Sequence, residues 1–202
     1  HHVGLYPVAR GDGRCVTERW RAALGRMQGG EWGWALTGRW LSGPRDPLGI
    51  RPLGIGDLDG SPILASETCA LDIVGARYVR DVENGEIVII TSDGIESLKP
   101  FPPQKARPCI FEYIYFARPD SVINGKSVYE ARKRMGRQLA LEAPAEADVV
   151  VPVPDSGVPA AIGFSQESGI PFELGIIRNQ YMGRTFIEPT QQIRQLGVKL
   201  KH

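Results

Sequence analysis

Asp155, Ser156 and Gly157 stand where the apolar run Val149-Val150-Val151-Pro152-Val153, followed by Pro154, gives way to a helix-compatible stretch from Val158 to Ser165. A carboxylate, a hydroxyl and a glycine at such a junction suit anion chemistry, because exposed backbone N–H groups and the helix dipole converge on one point. Asp155 and Ser156 can cap the helix, and Ser156 also offers a hydroxyl to a ligand or metal. The same residues are compatible with a capped βα turn that holds no ligand. A second candidate is Arg45-Asp46-Pro47-Leu48-Gly49-Ile50-Arg51-Pro52-Leu53, whose prolines, glycine and arginines predict a rigid turn held by a charged pair. Further on, Ala65 to Leu71 reads as a strand end and helix start, with Ser66 or Thr68 as cap and Cys69 as a small buried residue.

The elements that must position these residues fall into two compositions. Leu53 to Leu58, the turn Asp59-Gly60, and Pro62 to Ser66 form a hairpin signature. Glu86 to Thr91, closed by Ser92-Asp93-Gly94, is a further strand, and Trp32 to Leu36 is a candidate buried strand. Pro100 to Pro108 is an extended, proline-rich connector. Beyond it Ile110 to Phe116 is aromatic and β-prone, and Ser127 to Glu142 is helical, with Val128, Ala131, Met135 and Leu139 on one face and Ser127 with Glu130 as a capping box. The strand at Val149, its helix ending near Gly169, and the run Pro171 to Ile177 then give α/β order and the start of a parallel sheet.

The 202 residues suffice for one large domain or two small ones, and a formal net charge of +1 gives no overall bias toward nucleic acid or an anionic membrane. Cys15, Cys69 and Cys109 are widely spaced without a CxxC pair, which argues against a disulfide framework and for a reducing compartment, the cytoplasm. No apolar run reaches spanning length, and the start lacks the order of a signal peptide.

The Arg45 to Leu53 turn and the Ala65 to Leu71 segment together resemble the glutaminase domain of class II glutamine amidotransferases. Phe111-Glu112-Tyr113-Ile114-Tyr115-Phe116-Ala117-Arg118-Pro119-Asp120-Ser121, the loop Pro152 to Gly157, and Tyr181 to Gln191 narrow the resemblance to the glutamine phosphoribosylpyrophosphate amidotransferase family. It runs nearly continuously from about Leu24 to the last residue. The resemblance implies a partial α+β N-terminal-nucleophile sandwich over residues 1–108, followed over residues 109–202 by the start of an α/β type I phosphoribosyltransferase domain with its leading segment. It implies that ammonia from glutamine displaces pyrophosphate from phosphoribosylpyrophosphate to give 5-phosphoribosylamine, the first step of purine synthesis. Asp155, Ser156 and Gly157 match the family's pyrophosphate loop, with Ser156 helping to hold magnesium. Arg178 to Arg194 matches a mobile loop over the substrate, in which Arg178, Tyr181, Arg184 and Gln191 are substrate-binding candidates, Arg194 adds charge, and Gly183 and Phe186 supply flexibility and water exclusion. Cys109 matches the first of four cysteine ligands of a cubane 4Fe-4S cluster in the iron–sulfur members.

Two departures qualify what the resemblance implies. His1 stands where the family has its cysteine nucleophile, Val3 to Tyr6 resembles the residues after that cysteine, and Cys15 lacks a free α-amine. No catalytic residue is therefore assigned, and this chain alone is expected to lack glutaminase activity. No acidic pair with a Gly-Thr-rich phosphate loop follows Ile177 in these residues, so they are expected to carry only half of the phosphoribosyl site the resemblance implies. Two alternatives stand beside the enzyme: a non-catalytic regulatory or scaffold remnant of the same fold, and a relative of asparagine synthetase. Partners implied by the resemblance are phosphoribosylpyrophosphate, glutamine, inhibitory purine nucleotides and further copies of the chain in a homotetramer or dimer, with neither nucleic acid nor membrane.

Overall fold

The computed structural model describes residues 35–37, 40–179, 181 and 190–201. They divide into two compact units, one comprising the chain to Glu112 together with Phe116–Ser127, the other Tyr113–Tyr115 together with the chain from Val128 onward.

The first unit is built on strands. A four-stranded antiparallel sheet has the order β1 (Ala35–Thr37), β2 (Trp40–Pro44), β6 (Ile87–Thr91), β7 (Gly94–Leu98), and a three-stranded sheet has β4 (Ser61–Ala65), β3 (Gly54–Leu58), β5 (Arg77–Asp81). The β3–β4 hairpin follows the sequence expectation. Asp59 and Gly60 both have positive φ, 50° and 82°, the backbone that a tight two-residue hairpin turn requires. Leu41, Val88 and Ile90 from the larger sheet share one core with Ile55 and Leu64 from the smaller, so the two sheets lie face to face. Gly43 makes this possible, since a Cβ there would fall 2.5 Å from Leu64 Cδ1. Every residue of β6 is buried because alternate side chains serve opposite faces: Ile87 and Ile89 join Trp40 on the outer side, packed by Leu98 and Phe101. Helix α1 (Thr68–Val74) lays Ala70 and Leu71 on Ile63 and Ala65 of the smaller sheet, giving a helix–sheet–sheet order.

Several local expectations are corrected. Neither Ser66 nor Thr68 caps α1: Glu67 is the N-cap residue, and the helix start carries no side-chain cap bond. The Arg45 to Leu53 turn is held by no internal charged pair. Asp46 Oδ1 instead accepts from Leu48 and Ile50 N–H, while Arg45 is buried and donates to the Val82 carbonyl at 2.6 Å. β2, β5 and β7 go beyond the strands read from sequence, because Gly43 and Pro44 interrupt the first, charge dominates the second and Gly94 opens the third. The candidate strand at Trp32 lies outside the described residues except for its end, Ala35 and Leu36, in β1.

Glu112–Phe116 is a single turn of π-helix rather than a strand, with Ala117 N–H donating to the Glu112 carbonyl five residues back. A short ribbon of β8 (Val122–Ile123) and β9 (Lys126–Ser127) follows.

In the second unit α2 (Val128–Glu142) crosses α3 (Val158–Ser168). The buried face of α2 is Val128, Arg132, Gly136 and Ala140, whereas Met135 and Leu139, placed inside by apolar periodicity, are 37% and 53% exposed. Close backbone approach decides the face: a Cβ at Gly136 would fall 1.8 Å from the Ala160 carbonyl oxygen, and one at Gly163 would fall 1.9 Å from that of Lys133. The runs at Val149 and Pro171 meet in a parallel bridge between Val150 and Phe172, carried by Val150 N–H to Pro171 O and Glu173 N–H to Val150 O. Pro152 and Pro154 lack the N–H that would extend this pairing. The last element is α4 (Gln191–Lys201), so the end of the expected loop is a helical turn.

Candidate functional site

The bridge at Val150 and the start of α3 at Val158 fix the ends of the Pro152–Gly157 loop. Gly157 N–H donates to the Val153 carbonyl, Val158 N–H to that of Asp155, and the Pro154–Asp155 peptide is cis. Gly157 is dictated by this close return, since a Cβ would lie 2.7 Å from Val153 O. Asp155 and Ser156 do not cap α3 with their side chains; Gly157 is the N-cap residue, and Pro159 occupies the first turn, where a missing N–H costs nothing. Both side chains are thereby left for other partners.

Asp155 Oδ2 pairs with Arg178 Nη1 at 2.5 Å. Arg178 Nε is buried and has no hydrogen-bond partner among the described residues. Ser156 is half-buried, and no described group bonds its hydroxyl. A guanidinium with an unmet buried donor beside a tight strand-to-helix loop is suited to an oxyanion, for which planar N–H donors are the strongest recognisers. Asp155 and Ser156 supply oxygen atoms of the kind a hard divalent cation takes.

The other expected site residues are placed differently. Tyr181 is 99% exposed, and its N–H bonds Asn179 Oδ1. Gln191 opens α4 and accepts from Arg194 Nη2 at 2.9 Å. No hydrogen bond or ion pair joins either residue to the loop among the described residues, and Arg184, Gly183 and Phe186 lie outside them. Cys109 is a half-buried free thiol whose N–H donates to Ile50 O. Among the described residues no three His, Cys, Asp or Glu side chains gather as metal ligands. Cys109 thus offers one thiolate where a cubane cluster needs four, and the described residues do not by themselves build such a site.

Sequence reading missed a polar hub in the first unit. Glu67 Oε2 accepts from Arg118 N–H at 2.8 Å, Ser121 Oγ at 2.9 Å and Cys69 Sγ at 3.5 Å, while Thr68 Oγ1 accepts from Val122 N–H. Burial pushes the Cys69 thiol up, so it stays protonated and inert. Glu112, 3% exposed, meets Arg51 Nε at 2.6 Å; burial pushes its carboxyl up and Arg51 opposes this. The signal available in the sequence was the repeated occurrence of Arg and Glu inside otherwise apolar or aromatic segments.

The geometry is that of a βα unit that follows a β-rich unit in the chain. No protein-family model matches the chain. The amidophosphoribosyltransferase of Rhizobium etli is 60% identical over 205 residues, covering 99% of this chain and 41% of that protein. That of Mycobacterium tuberculosis is 56% identical over 157 residues, 78% of this chain and 30% of the relative. Among solved structures, glutamine phosphoribosylpyrophosphate amidotransferase from B. subtilis complexed with ADP and GMP matches with a TM-score of 0.74 and 49% identity, covering 83% of this chain and 37% of that one. An allosteric regulatory enzyme of purine biosynthesis matches with a TM-score of 0.77 and 44% identity over 95% of this chain and 41% of its own. The class of protein to which the chain is similar over most of its length is therefore that of the transferases these names describe. The particular proteins it is similar to are amidophosphoribosyltransferases, and the chain spans about two fifths or less of the length of the curated relatives it matches.

Proposed function

We propose that this chain is a working segment of an enzyme that makes 5-phosphoribosylamine from glutamine and magnesium phosphoribosylpyrophosphate. The observation that carries the reading is the Asp155–Arg178 pair beside the Pro152–Gly157 loop, with Arg178 Nε buried and unmet. In this reading the pyrophosphate of the substrate lies against the loop and draws Arg178 from Asp155, whose carboxylate keeps the guanidinium in place beforehand. Ser156 adds an oxygen to the shell of the substrate's magnesium ion. The substrate is thereby held with its leaving group fixed, which is what a displacement at the sugar carbon requires.

The first unit, with its two facing sheets, is read as part of the glutaminase sandwich over residues 1–108, and residues 109–202 as the beginning of the phosphoribosyltransferase domain. Arg178, Tyr181, Arg184 and Gln191 are read as the covering segment over the bound substrate. The ADP and GMP bound to the B. subtilis enzyme support purine nucleotides as further ligands. Assembly as a homo-oligomer, a cytoplasmic location and an iron–sulfur cluster that includes Cys109 belong to the same proposal. No helix among the described residues is long and apolar enough to cross a membrane.

Calorimetric titration of the full-length protein with magnesium phosphoribosylpyrophosphate tests the site. Arg178→Ala is expected to weaken binding by about tenfold or more, the worth of a charge-assisted hydrogen bond to an anion. Wild-type affinity in that variant would remove the observation on which the reading stands.

A further inference from the structure

We propose that the Asp155–Arg178 ion pair is a charge lock that makes the Pro152–Gly157 loop take pyrophosphate as its metal complex and disfavour the free anion, with Asp155 as the specificity-determining residue. The inference rests on the reading of this loop as the pyrophosphate site and deepens it. Arg178 Nη1 donates to Asp155 Oδ2 at 2.5 Å, and the Asp155 carboxylate has no other partner among the described residues. The guanidinium placed to receive an anion is thus held by the carboxylate beside it. Arg178 Nε stays buried and unmet, and Ser156 keeps a hydroxyl that no described group bonds.

Both residues sit on backbone that is already tied down. On one side Gly157 N–H donates to the Val153 carbonyl and Val158 N–H to that of Asp155. On the other, Glu173 N–H donates to the Val150 carbonyl, and Asn179 N–H, next to Arg178, to that of Lys201 at 2.7 Å. A change of partner is therefore a movement of two side chains and not of the loop. The Asp155 side chain is 67% exposed and that of Arg178 38% exposed, so the pair is of the kind worth at most about fivefold in an equilibrium, weak enough to open. A free pyrophosphate must open it and then lie beside an unpaired carboxylate of its own sign. A metal complex of the same anion brings a cation for Asp155 together with phosphate oxygens for Arg178, so each partner leaves the pair for a new opposite charge. A divalent cation alone is disfavoured in the same way, because it would strand Arg178. Metal and anion thus bind with reciprocal coupling, each raising the affinity for the other. The choice is set by an uncompensated charge against the wrong ligand as much as by attraction of the right one.

Calorimetric titration of the full-length protein with inorganic pyrophosphate, once in EDTA and once in excess magnesium, tests the lock with Asp155→Asn, which keeps the size of the side chain and removes its charge. Free pyrophosphate is expected to bind Asp155→Asn about fivefold or more tighter than wild type, since a unit charge about 4 Å away is worth about that factor even in bulk water. The magnesium complex is expected to bind the variant no tighter than wild type, so the gain in affinity on adding magnesium shrinks by about fivefold or more. Comparing the two proteins cancels the affinity of pyrophosphate for magnesium in solution. A gain of binding separates this role from a structural one, because damage to the loop weakens both forms of the ligand, and Ser156→Ala weakens only the magnesium complex. Free pyrophosphate bound no tighter by Asp155→Asn, while wild type binds the magnesium complex, would overturn the lock and leave the site standing. A wild type that binds neither form overturns the reading of the loop, and the lock with it. Should Asp155→Asn not fold, Asp155→Ser removes the same charge and is read the same way.

Discussion

Glycine at position 157 is required by space and not by φ. Its φ is an ordinary −77°, but the Val153 carbonyl oxygen occupies the place of a side chain. Gly157→Ala must push the loop open and move the amides that face the proposed pyrophosphate. Affinity for magnesium phosphoribosylpyrophosphate is expected to drop by about tenfold or more in titration, with little change in helix content, since the cost falls on the loop. Ser156→Ala removes one oxygen and leaves the loop closed, so its expected effect is smaller and appears as a weaker dependence of binding on magnesium concentration. At this scale the sequence was informative about Asp155, Ser156 and Gly157 because a strand end, small polar residues and a helix start are contiguous. It was silent on the Arg178 pairing, which joins residues 23 apart through the fold.

Helix α2 shows how a correct element can be read on the wrong face. Its limits were legible from Ser127 to Glu142, yet apolar periodicity selected Met135 and Leu139, and the packed face is Arg132, Gly136 and Ala140. Hydrophobic counting presumes that burial follows side-chain transfer energy, whereas here backbone-to-backbone proximity at Gly136 and Gly163 sets the crossing. Gly136→Ala is expected to lower stability by about 1–3 kcal/mol or more, the range for overpacking a fixed contact, seen as a lower Tm in scanning calorimetry. Leu139→Ala in this chain is expected to change it by no more than about 0.5 kcal/mol, the usual range for an exposed position. The opposite ranking would mean that the apolar face, and not the glycine crossing, packs the helix. The π turn was missed for a related reason. Its aromatic residues have strand propensity, but the Ala117 N–H donates to the Glu112 carbonyl five residues back and closes a π turn instead.

At the scale of the whole molecule a net charge of +1 hides strongly local electrostatics, and the clearest case is Glu86, buried just before the inner strand β6 of the larger sheet. Burial alone would push its carboxyl up. Hydrogen bonds from Arg80, Ser97 and the Glu83 N–H outweigh this and bring it down to about 2. A carboxyl whose pKa is lower in the folded state stabilises the fold above its unfolded value, and that contribution disappears as pH falls from about 4.5 toward 2. The contribution is on the order of 3 kcal/mol, at 1.36 kcal/mol per pK unit for a side chain removed from water. Glu112 has the opposite sign: its raised pKa means that protonation, once reached, favours the folded state, so it cannot account for acid unfolding. Glu86→Gln is therefore expected to destabilise the protein at neutral pH and to flatten the slope of stability against pH between about 4.5 and 2. Denaturant unfolding at a series of pH values measures both. A slope as steep in the variant as in wild type would transfer the acid sensitivity of the molecule to carboxylates outside the Arg80–Glu86–Ser97 network.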